Sequence, residues 1–233
     1  MSLYLIIMGV QGAGKGTQAA YIHETYAIPH VSTGDLFRAM KTRTDDLALE
    51  VQEIMNSGNL VSDEVTNKVL QDRLEQDDAA TGVILDGYPR NIDQAQWLET
   101  YLGSKGESLA AVLLLELDYY TAFKRAFGRV KDGTTGDVYN IYTLADQMDV
   151  EFVEHPDGTY PPRIQATLNG TELERRKDDH AASVVKRIDT FEKTTKPLIE
   201  YYEGKGLLIR IDADQPIDAV SGAIKAAVDK AKS

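Results

Sequence analysis

Apolar residues fall along this chain in two rhythms. Short unbroken runs, Leu3 to Met8, Val83 to Leu85, Ala111 to Leu117 and Leu207 to Ile211, suit strands buried on both faces, where the usual alternation of polar and apolar residues is lost. Between them apolar residues recur at the helical repeat. That spacing predicts helices with one buried face at Gln18 to Tyr26, Asp63 to Glu75, Gln94 to Leu102, Ala181 to Tyr202 and Pro216 to Ala231. Ile28 to Val31 adds a brief strand after the first helix. Strand followed by helix, repeated, predicts an α/β fold with a parallel sheet flanked by helices.

Two stretches break the alternation. Ser32 to Val61 carries helical segments but no strand, where a short crossover would suffice. Gly128 to Asp178 clusters Gly, Pro, Thr and Asp, alternates near Glu151 to Val153, and shows no long helical period. A segment of that length is too long for a plain loop in a compact domain, so a small subdomain or mobile lid is expected.

The first apolar run leads into Gly9-Val10-Gln11-Gly12-Ala13-Gly14-Lys15-Gly16-Thr17, and a helix is predicted directly after it. Glycines let successive backbone N–H groups turn toward phosphate oxygens, the helix adds its positive end, and Lys15 supplies a mobile cation. Gly12, Ala13, Gly14, Lys15, Gly16 and Thr17 therefore read as a phosphate-binding loop, its hydroxyl displaced by one residue from the general pattern. Val83-Ile84-Leu85-Asp86 sets a carboxylate at the end of an apolar strand, suited to hold hydrated Mg²⁺ beside phosphate. Asp86, with Thr17, is the predicted metal-organising pair, acting through water.

Charge and composition narrow the partners. The 233 residues, 42% hydrophobic and 27% charged, describe a soluble globular protein with one core and insertions. A formal net charge of -12 opposes binding to nucleic acid or to anionic membrane, so a nucleotide site must gather its arginines locally. The absence of cysteine excludes disulfides and thiolate-bound zinc. No stretch has the length of a membrane span, and the first apolar run lacks the basic flank of a signal peptide, so a cytoplasmic location is expected. His155, beside Glu154 and Asp157, lacks the spacing of a zinc site.

Directly after Asp86 come Gly87-Tyr88-Pro89-Arg90 and Gln94, and earlier lies Ser32-Thr33-Gly34-Asp35-Leu36-Phe37-Arg38. Together with Gly12-Ala13-Gly14-Lys15-Gly16-Thr17 and the downstream Arg175-Arg176-Lys177-Asp178-Asp179, these segments closely resemble the adenylate kinases among the nucleoside monophosphate kinases. The resemblance covers nearly the whole chain and is thinnest at Asn140 to Thr167, which resembles an extra-long form of the family's lid. It implies a five-stranded parallel sheet in a core of residues 1–31, 62–127 and 180–233, with an AMP-binding insertion at 32–61 and a lid at 128–179. It also implies a monomer that binds ATP, AMP and ADP and, with Mg²⁺, interconverts ATP plus AMP with two ADP in adenine nucleotide homeostasis and salvage.

The same resemblance assigns residues. Arg38 and Arg90 would hold the AMP phosphate, while Arg129, Arg176 and Arg187 would surround the phosphoryl group in flight and Arg125 would join Arg129 on ATP. Thr33 and Gln94 accompany adenine at the acceptor, next to Gly87, Tyr88 and Pro89, and backbone around Asn59, Leu60 and Val61 closes over that base. Groups near Val138, Tyr139 and Arg210 cover the ATP adenine. Gln11 stands where most relatives carry proline, Asp137 where a basic residue is common, and Asn59 where lysine is usual.

Several of these assignments also have a physical reading. Transfer between two polyanions needs their repulsion neutralised and the reacting oxygens aligned, and guanidinium forks bind phosphate oxygens in pairs while staying charged. Arg125 and Arg129, four apart, are expected on one helical face. Asp178-Asp179 reads as a helix N-terminus, which leaves Arg176 on the lid side of a hinge. Gln94 offers the donor and the acceptor that an adenine edge demands. The lid is expected to cohere without zinc, through Tyr139, Ile141, Tyr142, Phe152, Val153, Tyr160 and Ile164. A same-fold kinase with another base preference is the nearest rival. A GTPase-type switch is disfavoured, because Asn67-Lys68-Val69-Leu70 lacks the aspartate that specifies guanine.

Overall fold

The computed structural model describes residues 2–57, 61–154, 163–176 and 179–232. Asn59, Leu60, His155, Asp157, Tyr160, Lys177 and Asp178, all singled out in the sequence, lie outside the described residues. Two compact units emerge, one of Met1–Gly9, Ala13–Leu117 and Thr190–Ser233, the other of Val10–Gly12 and Asp118–Asp189.

The first unit begins with β1 (Leu3–Gly9), α1 (Lys15–Tyr26), β2 (His30–Ser32), α2 (Thr33–Met40), α3 (Asp46–Asn56), α4 (Asp63–Leu74), β3 (Gly82–Asp86), α5 (Ile92–Ser104) and β4 (Leu109–Glu116). The second unit holds α6 (Tyr119–Phe127), the short strands β5 (Arg129–Lys131), β6 (Val138–Asn140), β7 (Met148–Val153), β8 (Arg163–Leu168) and β9 (Thr171–Leu173), and most of α7 (Ala181–Thr190). The chain then re-enters the first unit through a π turn (Phe191–Thr195), α8 (Lys196–Gly204), β10 (Leu208–Asp212) and α9 (Ile217–Ala231).

Five parallel strands in the order β10-β4-β1-β3-β2 form the sheet of the first unit, as the apolar runs predict. Every residue of β1 is buried, which explains its unbroken apolar sequence. Alternate side chains point to opposite faces. Tyr4, Ile6 and Met8, with Val83, Leu85, Val112 and Leu114, pack against Leu70 and Leu74 of α4, Leu98 and Leu102 of α5, and Leu198 and Tyr202 of α8. Leu5 and Ile7 point the other way and are equally buried, on the side where α1 and α9 meet the sheet. Burial of each such side chain contributes about 1.5–3 kcal/mol, so the central strands anchor whatever hangs from their ends.

Residues between β2 and β3 form a smaller layer, in which Met40, Ala48, Val51, Val65 and Val69 make a core of their own. Its helices start where the sequence provides a cap. Ser32, Asp45 and Ser62 each accept a backbone N–H of the following turn, from Asp35, Ala48 and Val65.

The single long helix predicted over Ala181 to Tyr202 is instead divided by the π turn. Pro197, two residues past the end of that turn, has no N–H to return to the preceding turn, so the regular bonding pattern cannot run through it.

Among the described residues, the segment without helical periodicity carries five short strands. β5 and β6 pair antiparallel, and β7, β8 and β9 form a second antiparallel sheet. Val130, Ile141, Met148, Ala166 and Leu173 are its buried cluster, with Tyr139 and Ile164 packed against it. Two of the expected core residues are corrected: Tyr142 is 47% and Phe152 73% exposed. Phe152 shares a strand face with Met148 and Val150 but sits toward the end of β7, opposite Ile164, and the Tyr142 ring lies 6.4 Å from that of Phe127. Among the described residues no three His, Asp or Glu side chains converge as a metal site would require, and no helix is long and apolar enough to cross a membrane.

Candidate active site

Two of the loop glycines have a backbone reason to be glycine. Gly14, at the N-cap of α1, takes φ 90° and ψ 13°, in the left-handed region. Gly12 has φ 94°, and a Cβ there would lie 2.4 Å from the carbonyl oxygen of Ala122. No side chain caps α1, so the N–H groups of its first turn keep their capacity for an anion and the helix dipole points its positive end at the loop. Lys15 Nζ donates to the Gly9 carbonyl at 2.8 Å, which holds the ammonium back over the loop's first residue. Ala13 is buried, whereas Gly16 and Thr17 are exposed at the start of the helix.

Asp86 ends β3 in register with Ile7 of β1, two residues before β1 gives way to the loop. Adjacent parallel strands therefore bring the carboxylate to the loop side of the sheet, at the carboxyl ends of the strands where α/β proteins bind ligands. Its side chain is 16% exposed, and Oδ2 lies 3.4 Å from His30 Nε2 on the neighbouring strand. Hydroxyl and carboxylate oxygens, as Thr17 and Asp86 present them, are the hard donors that suit Mg²⁺.

Immediately after Asp86 the chain is held by a dense set of hydrogen bonds. Gly87, at φ 79°, turns a carbonyl that accepts from Thr33 Oγ1 and from Arg90 Nε, each at 3.0 Å. The Tyr88–Pro89 peptide is cis. Tyr88 is buried and donates its hydroxyl to Asn67 Oδ1 at 2.7 Å; burial, with Tyr202 and Asp63 nearby, pushes its pKa up, so it remains a donor. Gln94 is also buried, at 3% exposure, although it is polar. Its Nε2 donates to Asp63 Oδ1 at 2.6 Å and its Oε1 accepts the Arg90 backbone N–H at 2.8 Å. Asn91 caps α5 through the Gln94 N–H and donates to the other Asp63 oxygen at 2.8 Å. These bonds fix which end of the Gln94 amide is which, and leave it one N–H and one lone pair for a ligand.

Arg38 and Arg90 are both exposed. Arg38 lies one helical turn after Asp35 and pairs with it. Arg210, on β10, pairs with Glu116 at 2.6 Å and Glu203 at 3.2 Å. Val61 packs against the small core of the insertion.

Three arginines of the second unit lie around one buried carboxylate. Asp179, whose side chain is fully buried, accepts from Arg129 Nε at 2.9 Å and from Arg129 Nη2 at 2.7 Å, and lies 3.8 Å from Arg187 Nη1. Gln11 Nε2 also donates to it, at 3.2 Å. Arg175 stacks 5.0 Å over the Phe127 ring and donates to the backbone carbonyls of Phe127 and Asp179. Burial pulls the pKa of this guanidinium down and the nearby Asp179 charge opposes that pull. Arg176 is exposed, and its carbonyl accepts the Asp179 N–H at 3.1 Å. In the β5–β6 hairpin Val138 is 62% exposed and Tyr139 half-buried.

Two sequence expectations are corrected in this unit. Arg125 and Arg129 do not share a helical face, because α6 ends at Phe127 and Arg129 opens β5. Asn140 terminates the helix by donating its side-chain amide to the carbonyls of Lys124 and Arg125 at 3.3 and 3.1 Å. Asp179 does not cap a helix either. α7 starts at Ala181, and His180 Nδ1 accepts the Ser183 N–H at 3.3 Å. The Asp179 oxygens are taken up by arginine, so the capping role passes one residue on.

Sequence reasoning missed Asp63 and Asn91 behind Gln94, His30 beside Asp86, and the pairing of Asp179 with Arg129. A carboxylate among arginines was visible only as charge; burial, which forces such a group to be paired, was not.

The family model described as adenylate kinase matches residues 7–207. An adenylate kinase of Caldanaerobacter subterraneus subsp. tengcongensis is 41% identical over 226 residues, covering 96% of this chain and 95% of the relative. One of Thermoanaerobacter sp. is 42% identical over 226 residues, with 96% and 97% covered. One of Shouchella clausii is 38% identical over 231 residues, with 98% and 99% covered. With a family model matching residues 7–207 and relatives of about 40% identity along nearly the whole chain, the chain belongs to the adenylate kinase family.

Proposed function

We propose that the chain performs the reaction of its family, reversible transfer of the γ-phosphoryl group of ATP to AMP to give two ADP, with the residues in the following roles. The N–H groups of Gly12, Ala13, Gly14, Gly16 and Thr17, with the Lys15 ammonium, hold the triphosphate. Thr17 and Asp86 would hold Mg²⁺ through its water shell, and the ion supplies positive charge to the phosphate oxygens. Arg38 and Arg90 hold the AMP phosphate. Thr33 and Gln94 read adenine, with Gly87, Tyr88 and Pro89 shaping the wall beside it and residues 59–61 closing over the base. Arg125, Arg129, Arg176 and Arg187 neutralise the group in transit, and Val138, Tyr139 and Arg210 lie against the ATP adenine. The attacking AMP oxygen is already ionised near neutral pH, so no side chain need act as a general base.

The observation that carries this reading is the register of β3 on β1. It hangs Asp86, and four residues later Arg90, from the strand next to the one that feeds the phosphate loop, which supports a donor and an acceptor site carried on one sheet. On this reading residues 32–61 are the AMP-binding insertion, residues 128–179 are the lid, and the enzyme is a cytoplasmic monomer.

The acceptor panel tests it. AMP is expected to exceed CMP and UMP in kcat/KM by about two orders of magnitude or more, because a pyrimidine leaves the remaining N–H and lone pair of the buried Gln94 amide imperfectly paired. Equal use of CMP or UMP would remove adenine reading from these residues.

A further inference from the structure

Gln11 does something that its place in a phosphate loop does not require. Its Nε2 donates to Asp179 Oδ1 at 3.2 Å, a contact across 168 positions of sequence. Asp179 is the buried carboxylate that takes two nitrogens of Arg129 and faces Arg187. The orientation of the Gln11 amide follows from that partner. Turned over, Oε1 would face a carboxylate oxygen, and two acceptors repel. Held as it is, Oε1 is buried and has no hydrogen-bond partner among the described residues. A buried acceptor without a partner is destabilising, and an apolar side chain of similar size would fill the space without that cost. Packing alone therefore does not account for glutamine here.

We infer that Gln11 is a positioning residue for phosphoryl transfer, fixing Asp179 against the phosphate loop and, through Asp179, setting the guanidinium groups of Arg129 and Arg187. The inference rests on the transfer roles proposed above for those arginines. Arg129 engages Asp179 through Nε and Nη2, so the direction of its Nη1 N–H pair is set by where the carboxylate lies. A proline at this position would have no amide to give, so this chain adds a fixing bond that a proline loop lacks.

Steady-state kinetics of the full-length protein and its variants test the inference. Gln11→Leu keeps the approximate volume and loses the donor. It should lower kcat about tenfold, leave KM for ATP and AMP within about twofold, and leave Tm nearly unmoved. In an Asp179→Ala background the same change should have less than about a twofold effect, because the bond it removes is already gone. Gln11→Glu separates positioning from packing. Its carboxyl can donate to Asp179 only when protonated, and the neighbouring carboxylate raises its pKa. The kcat of Gln11→Glu, taken as a ratio to the parent at each pH, should rise about threefold or more between about pH 8 and pH 5.5. A Gln11→Leu variant with the parent's kcat, or a Gln11→Glu ratio that is flat with pH, overturns the inference. A parent protein that forms no ADP from ATP and AMP would overturn the transfer roles themselves, and this inference with them.

Discussion

Replacing Lys15 with Met is expected to lower kcat about a thousandfold or more while Tm stays within a few degrees of the parent's. The ammonium is the one cation that the loop itself carries, and a charge placed on the oxygens between donor and transferring phosphorus counts most in the transition state. Its contribution to the fold is small. Its carbonyl partner, Gly9, belongs to a strand already buried along its whole length by other contacts. Arg90→Ala should behave alike, since this exposed side chain donates to the Gly87 carbonyl but takes no part in the apolar cluster beneath it. Kinetics and thermal melts on the same preparations check both. Turnover near the parent's in either variant would remove that residue from the chemistry.

Exhaustive chelation is expected to abolish transfer, and Mg²⁺ alone to restore it fully, with no change in the Tm of the nucleotide-free protein. Loss of activity follows from the donor set, because Thr17 and Asp86 offer hard oxygen atoms and the reaction joins two polyanions. The unchanged Tm follows from how the β segment of the second unit coheres. Val130, Ile141, Met148, Ala166 and Leu173 bury an apolar cluster, and the chain has no cysteine with which to bind zinc in the manner of thiolate-bearing lids. Stoichiometric zinc in untagged protein, with a Tm that falls on its removal, would contradict this and point to His155 and its carboxylate neighbours.

What was legible in the sequence divides along physical lines. β1, β3, β4 and β10 were readable because strands buried on both faces leave continuous apolar runs, and the loop was readable because phosphate cradles need glycine at fixed spacing. The β structure between Gly128 and Asp179 was not. Its strands are short and several of their residues face water, so neither a long apolar run nor a sustained alternation marks them. The π turn at Phe191–Thr195 escaped because helical periodicity survives on either side of it, although Pro197 was there to signal a break.

Within the candidate site, residue types were legible and their partners were not. Gln94 could be singled out as a two-sided hydrogen-bonding group, yet nothing in its spacing shows that Asp63, 31 positions earlier, orients it. Asp179 illustrates the same limit. Next to another acid it looked like a helix cap, and only its complete burial identifies it as the group that holds Arg129.

The most direct test follows the phosphoryl group itself. ATP labelled at its γ-phosphate is mixed with unlabelled AMP, Mg²⁺ and the purified protein, and products are resolved by chromatography at early times. Two ADP are expected for each ATP consumed, with the label in ADP, where only the molecule derived from AMP can carry it, and almost none in inorganic phosphate. Label released as inorganic phosphate at a rate indifferent to AMP would show transfer to water, and would contradict the assignment of an acceptor site to Arg38, Arg90, Thr33 and Gln94.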